Sequence, residues 1–161
     1  APAGNATLDK FGYTQGCLLE SPHWAVLLRP VQCTLGALVL CSKTQEHALP
    51  SLAPEAFTDL RTICQRLECA LAGAFGYEKI NYLMLMMVDP EVHFHVLPRY
   101  SSEQVFAGHR FPDSGWPGPP DISAGVAVEG ALTHTLLAVL RKHLPAQGAS
   151  AEPDGPTIPT R

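Results

Sequence analysis

The chain has 161 residues, a formal net charge of −4 and an apolar fraction of 46%. That length suits one domain with a full core, and the composition suits a globular protein. The acidic balance gives no electrostatic reason to expect DNA or RNA binding, and no apolar run is long enough to cross a bilayer as a helix.

Residues 1–10 are small and polar and predict a flexible arm. They lack the basic start and apolar middle of a secretory leader. The five cysteines, Cys17, Cys33, Cys41, Cys64 and Cys69, include no Cys-x-x-Cys pair. Free buried thiols in a reducing compartment are therefore expected, with a cytoplasmic location.

Residues 23–29 form a short apolar run of strand length, Pro30 and the polar stretch after it mark a turn, and residues 36–41 read as a second strand. Together they predict an antiparallel hairpin. Residues 51–77 predict a long helix, with Pro54 at its first position and Glu55 and Asp59 near its positive end. Leu60, Ile63, Cys64, Leu67, Ala70, Leu71 and Ala74 recur at three- and four-residue spacing and form one apolar stripe.

Residues 80–88 are apolar nearly throughout, which predicts a central strand covered on both faces, with Met84, Met86 and Met87 filling the core. Asp89-Pro90 marks a turn into the next strand. Residues 101–120 read as an irregular loop around Trp116, residues 125–144 as a helix, and residues 145–161 as a disordered Pro-rich tail. The expected class is α+β, an antiparallel sheet of about five strands with a long helix and a C-terminal helix packed on it, all within a single domain at 11–144.

The segment from Pro90 to Arg99 carries the chemistry. In an extended strand, Val92, Phe94 and Val96 fall on one face, and Glu91, His93, His95 and Leu97 fall on the other. Three readings of the aligned imidazoles stand side by side. One is a nucleophile that accepts a phosphoryl or nucleotidyl group, with the second imidazole assisting the leaving group. Another is a metal site with Glu91, His47 or His109 as a further ligand. The third is a plain polar face.

Residues 89–100, DPEVHFHVLPRY, resemble the signature of the histidine triad superfamily, in which three histidines alternate with apolar residues and Pro-Arg often follows. Anchored on Pro98-Arg99, His95 matches the third histidine and His93 the middle one, the family's nucleophile, while Glu91 stands at the first position. The hairpin, the helix from Pro54 and the strand from Ile80 occur in the family's order, and the likeness spans roughly residues 11–100. It is nearest to the family's small bacterial members.

Ala37 stands where many members carry a further histidine, and Arg29 where they carry a ribose-binding Asp or Asn. Met86, Met87, Val88, Asp89 and Pro90 replace the family's Gly-Gln-Ser/Thr phosphate loop.

The resemblance implies a nucleotide hydrolase or nucleotidyl transferase acting on the α-phosphate of a nucleoside phosphoramidate or dinucleoside polyphosphate. His93 and His95 are the expected catalytic pair, and Glu91, Arg29 and Arg99 the expected substrate contacts. No cofactor or metal is expected. A homodimer built on the long helix and a sheet region is implied, with a nucleotide as ligand and no nucleic acid or membrane as partner. The alternatives are a non-catalytic nucleotide-binding or sensing protein, motivated by Glu91, Ala37 and Arg29, and a metal-dependent hydrolase using His93, His95 and Glu91.

Overall fold

The computed structural model describes residues 4–147. Two short helices, α1 (Ala6–Lys10) and α2 (Tyr13–Gly16), lead into strands β1 (Cys17–Glu20), β2 (Trp24–Leu28), β3 (Val31–Gln32) and β4 (Leu38–Ser42). After a 3₁₀ turn come helix α3 (Pro54–Phe75), then β5 (Lys79–Leu83) and β6 (His93–Arg99). The short strands β7 (Gln104–Phe106), β8 (His109–Phe111) and β9 (Val126–Ala127) precede helix α4 (Gly130–Lys142).

The main sheet has five antiparallel strands in the order β1-β2-β4-β6-β5. This is the expected α+β architecture. The predicted hairpin forms, with Leu27 opposite Val39 and Leu28 opposite Leu38. Its β2 and β4 residues are buried throughout because one face meets the helices and the other meets α1 and Phe11.

Helix α3 starts at Pro54 and is capped after Phe75 by Gly76, which takes a left-handed conformation. Ile63, Leu67, Ala70 and Leu71 bury the predicted stripe against the sheet, and Trp24 ties the layers together by donating its indole N–H to the Ala56 carbonyl at 2.8 Å.

Four expectations change. Residues 6–10 form α1 rather than a flexible arm, because Asn5 caps the helix by accepting from the Leu8 N–H at 2.9 Å, and Leu8 is buried. Residues 1–3 of that arm and residues 148–161 of the expected tail lie outside the described residues.

The apolar run at 80–88 is not a central strand. It ends as a strand at Leu83, on the sheet's edge, and Met87 and Val88 are 87% and 83% exposed. Met84 and Met86 pack partly against the core, but Met87 does not fill it. Apolar composition here follows a cavity rim and not burial.

Residues 125–129 stay extended ahead of α4, since β9 pairs with β3 and the Val128 N–H reaches the Pro30 carbonyl at 2.9 Å. The expected irregular loop contains the β7–β8 hairpin.

The connection from β2 to β4 is held by one amide. The buried Gln32 side chain donates to the carbonyls of Arg29 and Ala37 at 2.7 and 2.9 Å and accepts from the N–H groups of Gly36 and Ala37 at 2.8 and 3.1 Å. Four backbone groups find their partner in one side chain, as buried main-chain groups require. Gly36 is needed at this turn: its φ is +84°, and a Cβ there would meet the Phe75 ring at 2.9 Å. The clamp fixes the backbone at Arg29, which opens onto the site.

Candidate active site

Strand alternation delivers both imidazoles to one face, as the pattern predicts. Val92 and Val96 enter the main core, while His93 and His95 stand together with ring centroids 5.2 Å apart and planes at 87°. They line a cavity of about 460 Å³. Phe11 lies against both rings, at 6.4 and 6.1 Å between centroids. His93 is only 1% exposed and His95 7%, so both sit deep in the wall of that cavity.

The ring of His93 is oriented by the backbone just before its strand. Its Nδ1 lies 2.7 Å from the Glu91 carbonyl oxygen. A carbonyl can only accept, so Nδ1 carries the proton and, in the neutral ring, Nε2 keeps its lone pair. Nε2 is thus the nitrogen left for a ligand. The ring of His95 is held neutral: burial pushes it down to about 4, aided by the charge of Arg29, by His93 and by Lys10, with Asp89 opposing. Its Nδ1 is buried without a hydrogen-bond partner among the described residues.

The Glu91 carboxylate does not reach the ligand space, contrary to expectation. It turns to α1 and accepts from the N–H groups of Ala6 and Thr7 at 3.2 and 3.3 Å and from the Thr7 hydroxyl. Burial alone would push this carboxyl up; the hydrogen bonds from Thr7 and the nearby backbone N–H groups outweigh it and hold the group below the ordinary carboxylate range. Residue 91 therefore has two separate jobs. Its carbonyl aims His93, and its carboxylate fastens the helix that places Phe11. The carboxylate and the two imidazoles do not converge, so they form no common metal site. Among the described residues no group of three or more His, Cys, Asp or Glu side chains is placed to hold a metal ion.

Arg99 is the second correction. It is buried at the far end of β6 and forms a two-pronged pair with Asp113, at 2.7 and 3.0 Å, while also donating to Asn81 and to the Gly118 carbonyl. Every bond is structural: it clamps the loop at 113–118 onto β5 and β6. Arg29, by contrast, does line the cavity, with its guanidinium donating to the Cys33 sulfur at 3.1 Å and to the Ile122 carbonyl at 3.5 Å. It makes no pair with Glu91.

His47 and His109 are exposed and lie away from the cavity lining, and Trp116 is half-buried outside it. Ala37 is buried beside Cys33 and Leu97. All five cysteines are free.

Sequence reasoning missed three parts of the site: Phe11, the rim of Val31, Leu85, Met87 and Val88, and Lys10, which pairs with Asp89 at 2.7 Å. Only the apolar, unpatterned character of residues 84–88 hinted at the rim.

No protein-family model matches this sequence, and no curated protein matches it. Solved structures do match the fold. A histidine triad protein of Sinorhizobium meliloti is 20% identical, with a TM-score of 0.67 over 86% of this chain and 93% of that one. One from Marinobacter aquaeolei is 22% identical, with a TM-score of 0.66 over 84% and 93%. A protein of Sulfolobus tokodaii described as a hypothetical histidine triad nucleotide-binding protein is 13% identical, with a TM-score of 0.62 over 85% and 88%. The agreement in fold across more than four-fifths of the chain makes this a protein of the histidine triad fold.

Proposed function

We propose that the chain is a nucleotide hydrolase or nucleotidyl transferase that works through a nucleotidyl-His93 intermediate. The observation that carries this reading is the 2.7 Å contact between His93 Nδ1 and the Glu91 carbonyl, which leaves Nε2 as a free nucleophile on the cavity wall. In the first step the Nε2 lone pair attacks the α-phosphorus of a nucleoside phosphoramidate or dinucleoside polyphosphate. The bond from phosphorus to the leaving nitrogen or oxygen breaks, and the leaving group takes up a proton from solvent. In the second step water attacks the same phosphorus, the P–N bond to His93 breaks, and the nucleoside monophosphate departs while the water proton is lost.

His95 serves as a neutral hydrogen-bond donor to the phosphoryl group or the leaving atom, in keeping with its low proton affinity. The apolar rim and Phe11 keep water sparse around the reacting atoms, which strengthens each polar contact. A homodimer through α3 and edge strand β5, where Phe57 and Tyr82 are exposed, and a cytoplasmic location complete the proposal.

The test is incubation with a panel of phosphoramidates and dinucleoside polyphosphates, with and without chelator, followed by intact-mass analysis. Turnover that survives chelator, a nucleotidyl adduct on the wild type, and loss of both in His93→Ala are expected. Undiminished turnover in His93→Ala overturns the reading. The near-complete burial of His93 favours one other reading, a non-catalytic nucleotide-binding protein. Tight binding with no adduct and no turnover is its signature.

A further inference from the structure

Among the described residues two cations line the cavity, and they differ in how they are spent. Lys10 is neutralised: its ammonium donates to both Asp89 oxygens, at 2.7 and 2.9 Å. Arg29 is not. Its guanidinium bonds only to the Cys33 sulfur and the Ile122 carbonyl, and among the described residues no carboxylate lies within ion-pair distance of it. Burial pushes the Cys33 thiol up, so that sulfur stays neutral and leaves the positive charge uncompensated.

The Arg29 backbone is rigid, since its N–H reaches the Ala37 carbonyl at 3.0 Å and its carbonyl accepts from Gln32. The remaining wall is mostly apolar, which strengthens any ion pair formed there. Among the described residues Asp89 is the one carboxylate on the wall, and Lys10 already holds it. A carboxylate is the side chain that can accept from both hydroxyls of a ribose diol at once, and among the described residues this wall has none free for that.

We propose that the cavity selects phosphate compounds bearing a second anionic group, which Arg29 grips as a two-pronged partner, and that it does not read the ribose hydroxyls. This rests on the reading of the cavity as a nucleotide phosphate site. The second anion belongs either to the sugar or to the leaving group; both present the same phosphate oxygens to the guanidinium.

Titration calorimetry with four probes tests it: adenosine 5′-monophosphate, its 2′,3′-dideoxy analogue, adenosine 3′,5′-bisphosphate and adenosine 5′-diphosphate. One doubly phosphorylated probe is expected to bind about tenfold tighter than the monophosphate, and the dideoxy analogue to match its parent. The better of the two identifies the side on which the second anion sits. Arg29→Gln should erase the preference and Arg29→Lys retain part of it, because a lysine keeps the charge and loses the fork.

Equal binding of mono- and doubly phosphorylated probes, a large loss on removing the hydroxyls, or an undiminished preference in Arg29→Gln overturns the inference. If the monophosphate still binds and phosphoramidates still label His93 in such a case, the proposed chemistry stands alone. If no probe binds, both fall.

Discussion

The two ends of β6 are built to opposite rules. At Arg99 every polar atom has a partner: both prongs of the guanidinium meet Asp113, the remaining nitrogen meets Asn81, and a loop carbonyl completes the set. At His93 and His95, six residues to four residues upstream, the polar atoms are deliberately few and incompletely paired. One imidazole nitrogen is tied to a carbonyl, another is buried with no partner among the described residues, and a neighbouring arginine lacks an acid. Satisfied networks hold a structure together, whereas unsatisfied buried groups cost free energy and persist where a ligand completes them. The contrast explains why one strand carries both a structural arginine and a candidate nucleophile.

The sharpest way to break this comparison is at the satisfied end. Arg99→Ala leaves Asp113 charged, buried and unpaired, and should cost about 3–5 kcal/mol in urea or thermal unfolding. A loss below 1 kcal/mol would mean that the clamp is no more than a surface pair.

The unsatisfied end predicts a pH signature. Because burial depresses the His95 pKa to about 4, the folded state binds fewer protons than the unfolded chain between that value and the ordinary imidazole value near ~6.5. Stability is therefore full above ~6.5 and falls as pH drops toward the folded value, by roughly 1–3 kcal/mol. His95→Gln should flatten that decline in unfolding curves at pH 7, 6 and 5.

Glu91 titrates lower. Its folded pKa is depressed, so its contribution is present above the unfolded carboxylate value near ~4.3 and vanishes as pH falls through the folded value. Glu91→Gln should cost about 1 kcal/mol at neutral pH, and the gap to wild type should close in strongly acidic solution. A constant gap at all pH values would argue that the carboxylate charge is irrelevant to fastening α1.

The smallest effect belongs to the rim. Met87→Ser should shift stability by no more than about 0.5 kcal/mol, since the side chain is 87% exposed. A larger loss would place Met87 in the core after all.

Local pattern made several parts of this molecule legible. Alternation at residues 91–97 put the two imidazoles on one face, and the Pro54 start and the three- and four-residue spacing marked α3. The apolar runs on either side of Pro30 marked the β2–β4 hairpin. Other parts were opaque because their partners are distant in sequence. Arg99 read as a substrate contact until Asp113 and Asn81 were brought against it. The Glu91 carboxylate read as a neighbour of His93 until a helix more than 80 residues away claimed it. Residues 84–88 read as core because apolar composition alone cannot tell a buried strand from a cavity rim.

What the chain determined by itself is the β2–β4 hairpin, helix α3 and the side of β6 on which the histidines stand, since these follow from backbone periodicity and near-neighbour preference. What only the folded molecule decided is how each charge is spent. Asp113 takes Arg99, Asp89 takes Lys10, α1 takes Glu91, and Arg29 is left over at the cavity. Charge pairing is a contest among groups that tertiary packing brings within a few ångströms, and no local stretch of sequence contains all of the contestants.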